Sequence, residues 1–283
     1  MTVTDETEPT ELPDQPPPRV RVAGIDLDAM HEAEAVEHVL SSFQSGRGGR
    51  AIFVNVDVAL QVRRHPELTQ IAQSADLVLA DGMPLIWAAR LQNTAIPERV
   101  AGSTVLCRLV DRAAREGVPV MLLGGRPGAA QDAVGLLGSL HPGLRAGFHT
   151  PPFGFEDDPA AVTALQEAVD SFGRCICFVG LGFPKQERVM ESLAARRPDW
   201  WFVASGGGID FLAEGRRAPG WMQRTGLEWL YRLGREPKRL GRRYLVDDLP
   251  FAAGVLLSSA WRGARRTDRR GEPRAAETGN GVG

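Results

Sequence analysis

Three cysteines in 283 residues are too few for a disulfide framework. Two of them stand in Arg174-Cys175-Ile176-Cys177-Phe178-Val179, so on a strand both face one side. That spacing lacks the two intervening residues and the further partners of a metal site, and buried structural thiols in a reducing cytoplasm fit it better. The chain also has no run of about 18 apolar residues, so no membrane-spanning helix is expected. Phe251 to Trp261 is the most apolar late segment; it is too short to span, and it either lies in a membrane interface or packs on the domain. The first residues are acidic and carry no apolar core, so no secretory leader is expected. A complete dinucleotide fingerprint is missing too. After Gly180-Leu181-Gly182 the place of the third glycine is taken by Lys185, and no Walker lysine motif occurs. An NAD-dependent oxidoreductase therefore has little support.

What the chain does have is apolar content of 43%, enough for a sizeable core, and a net charge of −2 that hides a strong asymmetry. Residues 1–18 are acidic and rich in proline without apolar periodicity, the composition of a disordered tail. Residues 19–215 are expected to form the core domain and 216–262 a basic appendage, followed by a second disordered tail over 263–283. Between Arg216 and Tyr244 nine arginine and lysine side chains face only Glu228 and Glu236.

Short apolar runs alternate with helix-period segments for more than 180 residues, which implies a mostly parallel sheet covered by helices. The spacing predicts a first strand pair or edge over 20–27 and strands over 51–55, 77–80, 118–123, 144–148, 175–180 and 200–204. It predicts helices over 30–43, 59–75, 85–91, 104–117, 129–140 and 159–171, and another opening at Gly182-Phe183-Pro184-Lys185-Gln186-Glu187. Three strands stop at glycine turns: Gly124-Gly125, Gly180-Leu181-Gly182 and Gly206-Gly207-Gly208. Glycine there lets backbone N–H groups approach a phosphate at a helix N-terminus, so a nucleotide-type ligand is the natural expectation. Tight strand-to-helix corners use glycine for packing alone, and only the three together carry weight.

Asp81-Gly82 ends the buried run Leu77-Val78-Leu79-Ala80, and Arg99 follows in Pro97-Glu98-Arg99-Val100-Ala101-Gly102. A carboxylate at the carboxyl end of a parallel strand sits where α/β enzymes bind ligands. The pair suits a base and an anion clamp; equally, Asp81 can cap the next helix and Arg99 can form a surface ion pair. In the basic segment, Trp221, Leu227, Trp229, Leu230, Leu233, Leu240 and Tyr244 at helical spacing lie beside a cationic face. Such a helix suits an anionic membrane surface, with about 1 kcal/mol per well-placed basic side chain. The plainer alternative is a docking helix with solvated arginines. Nucleic acid is the weakest choice, because the rest of the chain is acidic and holds no recognised motif.

Taken in order, Asn55, LVLADG (77–82), PERVAG (97–102), LLGG with Pro127 and Gly128, VGLGFPKQE (179–187), GGGIDFLAEG (206–215), RAPGWMQRTGLEWLYRL (217–233) and EPKRLGRRYL (236–245) resemble the WecG/TagA/CpsF glycosyltransferase family over roughly residues 20–250. The GLEWLYRL and PKQE blocks are the most specific. The resemblance implies a Rossmann-like core with a C-terminal appendage that helps close the site at the membrane. It implies an inverting, metal-independent transfer, with no cofactor, of an N-acetylmannosamine-type or related sugar. The donor would be a UDP-sugar, the acceptor a polyprenyl-diphosphate-linked sugar, and the place the cytoplasmic face of a bacterial membrane, where teichoic acid, common antigen, capsule or exopolysaccharide is assembled. Carried onto this chain, Asp81 resembles the general base and Arg99 a diphosphate contact, with Arg232 and Arg239 as weaker ones. Asn55 and Gln186 resemble sugar or nucleotide contacts; Gly206, Gly207 and Asp210 line the donor pocket, although Asp210 alternatively braces its turn. Gly82, Gly124, Gly125, Gly182 and Lys185 complete the substrate-binding candidates. Many relatives carry threonine where this chain has Phe53, and aspartate where it has Thr104, which bears on donor and acceptor identity. A non-catalytic sugar-nucleotide or lipid-binding module is the alternative, and a homo-oligomer is left open.

Overall fold

The computed structural model describes residues 17–215, Gly234 and 241–271, with side chains as far as 265. Its centre is a six-stranded sheet, all parallel, of β3 (Gly49–Val54), β4 (Leu77–Ala80), β5 (Val120–Gly124), β6 (Ala146–His149), β7 (Ile176–Gly180) and β8 (Trp201–Ala204) in the order β4-β3-β8-β7-β5-β6. Every residue of β4, β5 and β8 is buried, because helices cover both faces of the sheet. On one face lie α2 (Val56–Arg64), α3 (Leu68–Gln73), α4 (Met83–Leu91), α7 (Pro159–Phe172) and α8 (Lys185–Arg196), which share a core. On the other lie α1 (Glu32–Gln44), α5 (Gly102–Glu116), α6 (Ala129–Leu140) and α9 (Gly208–Glu214). The fold is the helix-covered parallel sheet that the alternation predicts, in the Rossmann-like arrangement that the family resemblance implies.

An antiparallel hairpin, β1 (Arg19–Val22) and β2 (Ile25–Asp28), precedes the sheet. Asp28 fastens it. Its carboxylate, 1% exposed, accepts from Arg19 Nε at 2.8 Å and from the Val78 backbone N–H at 2.7 Å. The acid thus joins the hairpin to β4, and the charge is matched on both oxygens.

Several boundaries differ from expectation. The helix predicted over 59–75 is two helices, α2 and α3, because Pro66 forces His65 out of helical geometry (φ −130°, ψ 82°). Helix α5 begins at Gly102 rather than Thr104. The last helix, α10 (Leu249–Gly271), runs past Gly263, where the composition predicts the start of a tail.

Helix α10 packs on α4. Ala252 and Val255 are buried, and the Gln92 amide donates to Ser259 Oγ at 2.9 Å with Ser259 fully enclosed. Asn93 Nδ2 reaches the Gly263 carbonyl at 3.3 Å. Of the two alternatives for Phe251–Trp261, packing on the domain is therefore seen on one side, while Leu257 and Trp261 stay exposed on the other. A π-helical turn, Arg243–Asp248, leads into α10 and is tied to α2 by Arg64–Asp247 at 2.8 Å and Arg243–Asp57 at 3.7 Å.

Ser259→Ala leaves the buried Gln92 amide short of a partner, at a cost of about 1–3 kcal/mol. Amide exchange over Leu249–Gly271 is expected to accelerate while the sheet amides stay protected; equal acceleration in both would show that α10 and the sheet open together.

Candidate active site at the carboxyl edge of the sheet

Strands β3 and β8 are neighbours, yet α2 leaves toward one face and α9 toward the other. Divergence of that kind opens a crevice beyond the carboxyl ends of the strands. The candidate residues collect along it because every parallel strand ends on this edge.

At the β3–β4 end, Asn55 caps α2, its Oδ1 accepting from Val58 N–H at 3.0 Å. The cap engages the side-chain oxygen and leaves the NH2 group for a ligand. Gly82 comes close beside it: a Cβ there would be 3.6 Å from Asn55 Cα. Gly82, not Asp81, is the N-cap of α4, so the helix-cap alternative for Asp81 does not hold. Asp81 Oδ1 instead accepts from Arg99 Nη1 at 3.1 Å, and the two side chains are 24% and 15% exposed. Arg99 is therefore no ordinary surface charge; it sits inside the crevice wall with the acid. Backbone bonds set both positions, Asp81 N–H to Val54 O at 2.8 Å and Val100 N–H to Ala80 O at 2.9 Å. Glu98 holds the same loop from outside by accepting the Glu32 N–H at 2.7 Å.

In the middle, chains approach more closely than a side chain permits. A Cβ on Gly102 would lie 2.9 Å from the Phe53 ring and 3.1 Å from Ala204 O. One on Gly180 would meet Gly206 O at 2.8 Å, and one on Gly124 would meet Gly180 O at 2.6 Å. Gly124 and Gly125 also hold φ of +100° and +79°, a region that favours glycine. The glycine turns thus serve packing first. Phe53 fills the space over the start of α5.

At the β5–β7 end, Asp210 Oδ1 accepts the Arg126 N–H at 2.8 Å, and Arg126 reaches Glu214 at 2.6 Å. Asp210 therefore braces the turn after β5. Lys185 opens α8, ion-pairs with Glu156 and lies 5.6 Å from the Phe153 and Phe155 rings. The Lys185 partnership pulls the Glu156 carboxyl below its usual range. Phe153 stands fully exposed.

Gln186 and Glu187 are buried together. Gly182 N–H donates to Gln186 Oε1 at 3.2 Å, and Gln186 Nε2 donates to Glu187 Oε1 at 2.9 Å. Glu187 Oε2 and Ser205 Oγ are buried with no partner among the described residues. Burial raises the Glu187 carboxyl to about 7 and that of Asp248 to about 6. Burial also pushes the Cys175 and Cys177 thiols up, so neither offers a thiolate, as their strand positions led one to expect.

Of the predicted residues, the fold brings Asn55, Asp81, Gly82 and Arg99 to one end of the edge. It brings Gly124, Gly125, Gly182, Lys185, Gln186, Gly206, Gly207 and Asp210 to the other. Arg232 and Arg239 lie outside the described residues. Glu156 and Glu187 were not anticipated; the signal for Glu187 was its place in the PKQE block, whereas nothing near Glu156 distinguishes it from a loop acid. Among the described residues no group of three or more His, Cys, Asp or Glu side chains is arranged to hold a metal, and no helix is long and apolar enough to cross a membrane.

A Rossmann-like sheet with an acid–arginine pair at its carboxyl-edge crevice defines an α/β protein with polar groups gathered where such sheets bind ligands. The family model described as Glycosyl transferase WecG/TagA/CpsF family matches residues 20–266, and the chain belongs to that family. It is accordingly a glycosyltransferase with a role in cell-surface polysaccharide synthesis.

The buried Glu187 generates a stability prediction. Its carboxyl is raised in the folded state, so it contributes no difference below its unfolded value near 4.5. Folding becomes progressively less favourable as pH rises toward 7 and above, because only the unfolded chain ionises it freely. Glu187→Gln removes that term. Its stability relative to wild type should increase between pH 4.5 and pH 8 by up to about 3 kcal/mol, read from urea unfolding at each pH.

Proposed function

We propose that this chain transfers a sugar from a UDP donor to a polyprenyl-diphosphate-linked sugar with inversion at the anomeric carbon. The observation that carries the proposal is the Asp81–Arg99 pair, 3.1 Å apart and largely enclosed at the crevice. In an inverting transfer the acceptor hydroxyl attacks the anomeric carbon as the bond from that carbon to the diphosphate oxygen breaks. Asp81 takes the hydroxyl proton, and UDP leaves with the electron pair of the broken bond. Charge develops on the departing diphosphate, and Arg99 together with the N-termini of α5 and α8 is suited to meet it without a metal. Residues from β4 to β7 span three strand spacings, about 14 Å. An extended nucleotide sugar fits that span, with the sugar near Asp81 and the nucleotide toward Gly182, Lys185 and Gln186. Glu156 then occupies the anion position of Lys185 until the diphosphate replaces it.

A membrane-associated acceptor is supported by the apolar surface beside this edge of the molecule. Leu245, Val246, Leu249, Leu257 and Trp261 are exposed on the π-helical turn and α10, and Trp87 and Leu91 are exposed on α4, against which α10 packs. A surface of this composition suits the lipid interface at the inner face of the membrane, with the basic segment 216–240 contributing charge. The non-catalytic alternative rests on Phe53, whose ring takes up space beside Gly102.

Two measurements test the proposal. Asp81→Asn should melt like the wild type but lose about 10²–10⁴-fold in UDP release dependent on a prenyl-diphosphate-GlcNAc acceptor; full activity would remove Asp81 from the mechanism. UDP binding with no turnover on any acceptor would favour the non-catalytic module. Glu156→Gln frees Lys185, and calorimetric titration should show tighter UDP binding than wild type.

A further inference from the structure

We propose that Glu187 is a positioning residue that sets the orientation of the Gln186 amide for nucleotide binding. The inference rests on the assignment of Gln186 as a donor contact and identifies what makes that contact specific. The three groups form a directed chain. Gly182 N–H donates to Gln186 Oε1 at 3.2 Å, and Gln186 Nε2 donates to Glu187 Oε1 at 2.9 Å. An amide has two nearly superimposable orientations, and a neighbour that can only donate or only accept decides between them. Gly182 offers only a donor, which selects the amide oxygen. Glu187 Oε1 accepts, which selects the amide nitrogen. Both ends agree, so the side chain is fixed, and its second Nε2 hydrogen has no partner among the described residues. That hydrogen is the one donor the arrangement leaves for a ligand.

A purely structural account fits Glu187 poorly. Its side chain is 3% exposed, and among the described residues its Oε2 has no partner and no charged side chain neutralises it. An apolar residue of the same length would fill the space without the cost of burying a carboxyl. The position at the third residue of α8 gives some relief from the helix N-terminus, yet burial remains the dominant influence. A stability-lowering acid held against the crevice is the pattern expected of a functional group.

The test uses the full chain and UDP binding by calorimetry, so its readout does not depend on finding the acceptor. Glu187→Met is expected to melt at or above the wild-type temperature while weakening UDP binding about tenfold, the effect of one misplaced hydrogen bond. Glu187→Gln keeps an acceptor oxygen and should recover most of the affinity. Gln186→Ala should weaken binding to a similar degree, and adding Glu187→Met to it should cost nothing further, since the acid acts through the amide. Additive losses, or full affinity in Glu187→Met, would overturn the proposal while leaving Gln186 as a contact. Full affinity in Gln186→Ala would instead remove Gln186 from the donor site and the positioning role with it. Where donor turnover is measurable, KM should rise in Glu187→Met with kcat unchanged, because the interaction is made equally in ground and transition states.

Discussion

The separation between backbones at the carboxyl edge governs this structure. Around Gly180 there is no room for a side chain: a methyl group there would touch Gly206 O at 2.8 Å, and its counterpart on Gly124 would touch Gly180 O at 2.6 Å. Three strands are drawn to within peptide contact of each other's turns, and α6, α8 and α9 begin where those turns release the chain. A parallel sheet delivers all of its strand ends to one side, so this compression also decides where polar groups gather. The glycines are therefore, first of all, a condition of the crevice's shape.

Within that shape the acids divide by environment. Asp28 is enclosed but matched on both oxygens, and it is a fastener. Asp210 is matched by the Arg126 N–H and braces a turn. Asp81 shares the crevice wall with Arg99 and keeps access to solvent, as the base role proposed for it requires. Glu187 is enclosed and only half matched, the arrangement with the greatest energetic penalty of the four. Residue type alone does not distinguish them; the number of donors facing each oxygen does.

The fold was largely legible in the chain because the strands are continuous apolar runs and the helices have a clear period. Helix α6 begins and ends at the predicted residues. Pro66 was present in the sequence, but its effect was hidden by apolar residues that keep helical spacing on both sides of it. The candidate site was legible where ordered blocks of sequence carried it, as at Asp81, Arg99 and Gln186. It was not legible where a residue owes its role to a partner distant in the chain. Glu156 meets Lys185 across 29 positions, and Glu98 meets Glu32 across 66. Periodicity reports which face a residue takes, never which stranger it will meet. That Gly82 rather than Asp81 caps α4 needed the structure for the same reason, since spacing puts both equally near the start of the helix.

The ties between α2 and the π-helical turn give the short helix a mechanical meaning. Its first turn is capped by Asn55 at the crevice, while Asp57 and Arg64 along its length hold Arg243 and Asp247 of the segment leading into α10. Nine residues of helix make a strut about 14 Å long. A tilt of α10 and of the turn before it is passed along that strut toward the Asn55 cap. The Asn55 end of the crevice is thus joined, through ion pairs along one short helix, to the segment that leads into α10.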